Sequence, residues 1–218
     1  MKPVLPFAEA VEHIHDGASL MLSGFMCCGN AYGLIDALLE RGTRELTLIT
    51  NDGGFPERGV GKLIVAGRVA RLIASHIGTN PVSGQKMNDG SMVVELVPQG
   101  TLAERIRCAG AGLGGVLTPT GLGTAVEKGK RKVRVDGKQY LLDTPISADF
   151  AFVKAATCDR LGNSFVAKAC KNFGIVMAMA AQHTVIECDE LVEVGGLDPE
   201  KVHIPGVFVD AIACGGAR

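Results

Sequence analysis

The chain has no tryptophan, and only 2 of its 218 residues are tyrosine. That is not the composition of a protein that grips bases by stacking. A surplus of one charge is missing too: 22 Lys and Arg stand against 23 Asp and Glu, a formal net charge of −1. Binders of nucleic acid or anionic membranes usually carry a basic surplus, so neither is an expected partner. Long apolar runs are also lacking. The longest, Gly174–Ala181, falls far short of the roughly 20 residues of a membrane span. Lysine, glutamate and proline interrupt Met1–Glu9 before a signal-peptide core can form, so a cytoplasmic location is expected. The seven cysteines form an odd set without a Cys-x-x-Cys pair. This excludes a secreted disulfide framework and a zinc site, and no metal is expected. There is no Gly-x4-Gly-Lys-Ser/Thr phosphate loop, no Gly-x-Ser-x-Gly elbow and no His-Glu-x-x-His string.

Glycine is in excess, with 29 residues, about twice the average share. Glycines allow tight turns and close approach of backbone to a ligand, so their positions are informative. Helical spacing over Phe7–His15 puts Phe7, Val11 and Ile14 on one face, and Asp16-Gly17 stops it. Ala18–Leu22 reads as a buried strand. A glycine-rich turn over Ser23–Gly29 leads to a helix over Gly33–Arg41, with Gly42 as its C-cap. A strand over Glu45–Thr50 ends in the turn Asn51-Asp52-Gly53-Gly54. A helix over Val60–Ala66, strands over Val69–Ser75 and Met92–Val97 and a helix over Thr101–Cys108 continue the alternation. Such units imply an α/β fold whose mostly parallel sheet is covered by helices, with ligand sites at the C-terminal ends of the strands. The second half is richer in β-structure. Lys132–Leu142 reads as a hairpin around Asp136-Gly137. Phe150–Ala155, Thr184–Cys188 and Val207–Ile212 read as strands, and Ile175–Ala181 as a buried helix. No linker or fixed repeat appears, so a single domain over residues 1–218 is expected.

Several motifs have bland readings. Gly110-x-Gly112-x-x-Gly115, with Asp136 downstream, formally matches a dinucleotide fingerprint. A helix precedes it where a strand is required, and Val116-Leu117-Thr118-Pro119 follows where a helix should open. His13 and His15 lie two apart and cannot share a helical face. Lys128, Lys130, Arg131, Lys132 and Arg134 read as a solvated turn or strand edge. Cys27 and Cys28 sit in a glycine loop before a helix, where a thiolate would be stabilised. No local His or Asp would activate one, which favours two small residues packing a tight turn.

The segment Asp16–Gly29 (Asp-Gly-Ala-Ser-Leu-Met-Leu-Ser-Gly-Phe-Met-Cys-Cys-Gly) resembles the signature of the alpha subunits of family I CoA-transferases. That signature is Asp/Asn-Gly, two residues, three apolars, Gly-Gly-Phe, three residues, Gly, one residue, Pro. The resemblance continues through Glu45–Gly53, Val97–Arg107, Gly110–Gly115, Thr118–Gly121, Asp159–Asn163, Lys171–Phe173, Leu197–Pro199 and Pro205–Val207. The members it looks most like are alpha subunits of acetate– or butyrate–acetoacetate CoA-transferases.

This resemblance implies an enzyme of two homologous chains, often α2β2, that moves CoA between short-chain carboxylic acids. CoA is then substrate and product, with no permanently bound cofactor. The nucleophile is a glutamate in a Ser-Glu-Asn-Gly string of the beta chain, a string absent here. Ping-pong kinetics follow from such a covalent intermediate. The loop Ser23, Gly24, Phe25, Met26, Cys27, Cys28 and Gly29 corresponds to the CoA-binding loop. A helix N-terminus behind such a loop favours negative charge. Asn51 and Gln99 correspond to the family's active-site amides, and amide donors suit an oxygen that gains charge in the transition state. The alternative roles are an ordinary Asx turn for Asn51 and a helix start for Gln99. Ser23 stands where the family has glycine, and serine is strained there if the position needs positive φ. Ala31 replaces the family proline, which should leave the loop freer. Tyr32 adds a hydroxyl beside it. A CoA-binding or assembly subunit without catalytic residues remains the alternative.

Overall fold

The computed structural model describes residues 1–215; the last three residues of the 1–218 span lie outside the described part. The chain opens with β1 (Val4–Leu5) and α1 (Phe7–Ala10). It then alternates: β2 (Ser19–Leu22), α2 (Tyr32–Arg41), β3 (Leu46–Thr50), α3 (Val60–Val65), β4 (Val69–Ala74), α4 (Pro81–Asp89), β5 (Val93–Leu96) and α5 (Gln99–Gly110). The second half supplies β6 (Val116–Thr118), β7 (Arg131–Val135), β8 (Lys138–Asp143), β9 (Ala148–Asp159), β10 (Ser164–Phe165), α6 (Gly174–Ala180), β11 (Ala181–Val192) and β12 (Ala211–Cys214). Nine strands form one sheet, ordered β1-β12-β11-β9-β2-β3-β4-β5 with β10 on β9. Its pairings are parallel apart from β9–β10. A separate antiparallel sheet, β6-β8-β7, holds the expected hairpin. Its turn places Asp136 and Gly137 at φ 48° and 77°, as a two-residue hairpin turn requires.

Alternation along each strand decides what covers the sheet. Leu20, Leu22, Leu48, Leu72 and Phe152 point to a core shared with Leu34, Ile35 and Leu38 of α2 and Leu63 of α3. Met21, Ile49, Ile73, Ala151 and Val153 point to the opposite core, shared with Leu102 and Ile106 of α5 and Met177 of α6. Both faces are therefore largely buried, which is why these strands read as mostly apolar runs and not as strict alternation. Asp149 locks β9 onto β2: its carboxylate accepts from the Ser19 N–H (2.9 Å) and hydroxyl (2.7 Å). No helix among the described residues is long and apolar enough to cross a membrane.

Some expectations fail for local reasons. The first helix stops at Ala10, not His15. The chain then tightens, with the Glu12 and Ile14 N–H groups donating three residues back, while Val11 and Ile14 stay buried. The last strand begins at Ala211, not Val207, because Pro205 starts a single turn over Gly206–Phe208. Helix α4 was not expected: only Ser83 on it is buried, so no apolar period marks it. It starts instead from the Asn80 side chain, which accepts from the Val82 N–H at 3.2 Å. Lys128, Arg131, Lys132 and Arg134 form a solvated edge as expected, with Lys132 paired to Glu127, whereas Lys130 turns inward to the buried Asp143 carboxylate.

Candidate active site

The order β2-β3-β4-β5 sets the segments that follow these strands side by side along one edge. Loop 23–29 follows β2, the Asn51 turn follows β3, and Gln99 follows β5 after Pro98. β3 and β5 are two strand spacings apart, about 10 Å. The carboxyl edge of a parallel sheet is where such folds bind ligands.

The loop is a tight hairpin. Phe25 and Cys28 exchange both backbone hydrogen bonds at 2.9 Å. Between them Met26 and Cys27 take φ 46° and 66°. Left-handed backbone costs a non-glycine residue about 1–2 kcal/mol, and persists only where the surroundings enforce it. Here two groups do so. The Asp52 carboxylate accepts from the Met26 N–H at 2.7 Å, and the Tyr32 hydroxyl donates to the Cys27 carbonyl at 2.8 Å. Asp52 also accepts from the Gly54 N–H at 2.8 Å. The Asx turn thus belongs to Asp52, not to Asn51. Its carboxylate, 3% exposed, ties the β2 loop to the β3 turn.

Asn30 anchors the loop from below. Its amide donates to the Ser23 carbonyl at 2.7 Å and its oxygen accepts from the Val60 N–H at 3.3 Å. Gly24 has no room for a side chain: a Cβ there would lie 2.1 Å from the Asn30 amide nitrogen, and φ is 122°. Ser23 is not strained, because its φ is not positive. Its hydroxyl donates to the Gly29 carbonyl (2.7 Å) and accepts from the Lys154 N–H (3.1 Å), closing the loop onto β9.

Exposure divides the loop. Ser23, Gly24 and Cys27 are buried, Gly29 is half-buried, and Phe25, Met26 and Cys28 face outward. Burial and the nearby Asp52 carboxylate push the Cys27 thiol up, while the Phe55 backbone and Arg58 oppose them. Cys27 therefore packs the turn, as its bland reading had it. The N-terminus of α2 is already occupied. Glu187 of β11, 5% exposed, accepts from the Leu34 N–H at 3.0 Å and faces the Lys154 ammonium at 3.3 Å. One N–H of the helix end expected to attract the negative charge of CoA is thus taken by the protein's own carboxylate, which is itself paired with Lys154.

Asn51 is buried at the end of β3. Its carbonyl accepts from the Ser75 N–H and hydroxyl, both at 2.9 Å, and its Oδ1 accepts from the same hydroxyl at 3.3 Å. Its Nδ2 has no partner among the described residues, which leaves a donor at the edge. Gln99 is the first residue of α5 and is exposed. Gly110–Gly115 ends α5 and precedes β6, so it has no dinucleotide geometry.

A profile of the coenzyme A transferase family matches residues 4–215. The chain belongs to the coenzyme A transferase family. Among CoA-transferases it is of the alpha-subunit type. The acetate CoA-transferase subunit alpha of Escherichia coli (strain K12) is 51% identical over 209 residues, covering 96% of this chain and 95% of that protein. The acetoacetyl-CoA:acetate/butyrate CoA transferase alpha subunit of Clostridium acetobutylicum is 46% identical, with 96% of each covered. A solved acyl-CoA transferase from Escherichia coli O157:H7, in a thioester complex with CoA, matches with TM-score 0.85 at 27% identity. That match covers all of this chain and 48% of the solved chain, so this CoA-transferase chain spans about half of it. Glutaconate CoA-transferase from Acidaminococcus fermentans, 20% identical, shares the fold at TM-score 0.83, with 97% and 75% covered.

Asp52, Asn30 and Glu187 escaped sequence reasoning. Asp52 carried a signal, an acidic residue directly before Gly-Gly. Glu187 carried one as well, a charge inside the otherwise apolar run Thr184–Cys188. Ala31 has a measurable consequence. Its φ is −79°, inside the proline range, and its N–H has no partner among the described residues. Ala31→Pro should raise stability by about 0.4–1 kcal/mol. The melting temperature should rise by roughly 1–4 °C. A fall would mean that the ring overpacks the buried site.

Proposed function

We propose that the chain is the alpha subunit of a short-chain acyl-CoA:carboxylate CoA-transferase exchanging CoA between acetoacetate and acetate or butyrate. The observation that carries this reading is the pinned loop 23–29 set against the Asn51 turn on a CoA-transferase sheet. The names of the relatives at 46–51% identity support the substrate class. CoA enters as substrate and leaves on product, and no resident cofactor is invoked. The partner is a homologous beta chain carrying the nucleophilic glutamate, in an α2β2 assembly. The sheet running through both halves supports a single domain over residues 1–218. Seven free cysteines suit the cytoplasm.

In the proposed reaction the beta-chain glutamate attacks the acyl-CoA carbonyl and expels CoA thiolate, leaving a mixed anhydride. The thiolate attacks the glutamyl carbonyl and releases the first carboxylate, leaving a glutamyl-CoA thioester. A second carboxylate reverses these steps. This chain supplies the opposing wall. The Asn51 Nδ2 donates to the oxygen that gains charge, Gln99 offers a second amide, and Phe25, Met26 and Cys28 face the acyl-CoA. The rival reading, an assembly subunit, draws on the occupied N-terminus of α2.

Mixing the chain with its beta partner should give CoA exchange, and the chain alone should give none. Turnover by the isolated chain would sink the proposal. Asn51→Ala should lower kcat by about 100- to 1,000-fold with the assembled mass unchanged by light scattering. Unchanged kinetics would remove Asn51 from the site and favour the assembly reading.

A further inference from the structure

We infer that Cys28 and Cys170 form a dithiol modification site, which an oxidant of the peroxide class converts to a reversible disulfide that locks loop 23–29. The two residues are 142 positions apart, yet their sulfurs lie 3.9 Å from each other. Cys28 is exposed at the end of the loop hairpin. Cys170 is half-buried in the single turn Lys168–Lys171 before α6. The backbones are already in contact beside them, because a Cβ on Gly29 would lie 3.1 Å from both Cα and Cβ of Cys170. A disulfide needs sulfurs about 2.05 Å apart. The remaining approach is about 2 Å, shared by two side chains on segments that already touch.

The site is selective. Cys27, Cys108, Cys158 and Cys188 are buried, and burial pushes the Cys158 thiol up to about 11. The Cys214 thiol is turned onto the Cys188 carbonyl. Burial also pushes the Cys170 thiol up. The exposed Cys28 therefore meets the oxidant first, and Cys170 resolves the product.

The step balances. The Cys28 thiolate attacks one peroxide oxygen, the O–O bond breaks and hydroxide leaves, giving a sulfenic acid. The Cys170 thiolate then attacks that sulfur and expels the second hydroxide, forming the S–S bond. Two thiols and one hydrogen peroxide become one disulfide and two waters. The sulfurs together lose the two electrons that the peroxide gains. A dithiol reductant reverses the change by exchange.

The effect on activity rests on the function proposed above. Locking Cys28 to the 168–171 turn removes it from the wall that faces the acyl-CoA and shifts the loop. Displacements of about 1 Å at a reacting site can cost on the order of 100-fold in rate.

The test treats the assembled enzyme with hydrogen peroxide, without CoA present. Peptides are then mapped under non-reducing conditions, and CoA exchange is assayed before and after. A linked Cys28–Cys170 peptide, activity loss of about tenfold or more and recovery with dithiothreitol are expected. Cys170→Ser should start with ordinary activity, form no linked peptide and lose less activity than the unaltered enzyme. Cys28 overoxidised without linkage, or linkage with activity intact, would overturn the inference. Absence of exchange before oxidation would overturn the proposed function instead, and the peptide map still decides whether the dithiol forms.

Discussion

Asp52→Ala should lower kcat/KM for CoA exchange by about 100-fold while the chain still folds. The carboxylate does not face the proposed substrate. It acts by holding two backbone N–H groups, those of Met26 and Gly54, at 2.7 and 2.8 Å. Without it both donors lose their partner, at about 1–3 kcal/mol for each that stays dry. Met26 and Cys27 then keep a left-handed backbone with one fewer group enforcing it. The hairpin opens, and Phe25, Met26 and Cys28 leave the wall. Asp52→Asn retains one acceptor and turns an amide N–H toward the other donor, so it should fall between. Glycine at position 26 accepts positive φ without the penalty. Adding Met26→Gly to Asp52→Ala should therefore restore part of the lost melting temperature. A merely structural role for Asp52 would lower stability and leave the kcat/KM of the folded enzyme unchanged, and that result would end the argument.

The parallel half of the fold was legible because its signals are local. Leu46–Thr50 and Val69–Ala74 are short, mostly apolar runs with buried residues on both faces, and glycine caps α2 at Gly42. Family strings located loop 23–29 and the Asn51 turn. What could not be read is whatever depends on contacts across the sheet. Asp52 and Met26 are 26 positions apart, and Glu187 and Leu34 are 153 apart. No period or motif couples such pairs. Ser23 shows the same limit from the other side. Taken alone it looked like a strained substitute for glycine, but the Gly29 carbonyl and the Lys154 N–H turn its hydroxyl into a clasp. Helix α4 was missed because it packs through so few side chains that its sequence lacks an apolar stripe.

Glu187→Ala should strongly destabilise the fold beside the site. The carboxylate joins three elements: it sits on β11, accepts from the N-terminus of α2, and faces Lys154 of β9. Removing one partner of a buried ion pair costs about 3–5 kcal/mol. Asp189 still holds Lys154 at 2.6 Å, so the lower end is expected. At roughly 2–4 °C per kcal/mol, the melting temperature should fall by roughly 6–12 °C. Glu187→Gln keeps one acceptor but points its NH2 either at the Leu34 N–H or at the Lys154 ammonium. It should cost about 1–3 kcal/mol. Lys154→Met relieves that conflict, so the double variant should lose less than the sum of the two, by about 0.5–3 kcal/mol. Alkaline titration gives an independent check. Burial pulls the Lys154 ammonium down, but Asp189 and Glu187 outweigh it and hold it above the usual lysine value. Its contribution is then complete below about pH 10.4, where the unfolded amine titrates, and is lost as pH rises through the raised folded value. Glu187→Ala should flatten that alkaline loss. Strict additivity of the two substitutions, with an unchanged alkaline slope, would mean that Glu187 supports α2 alone and that its pairing with Lys154 carries no energy.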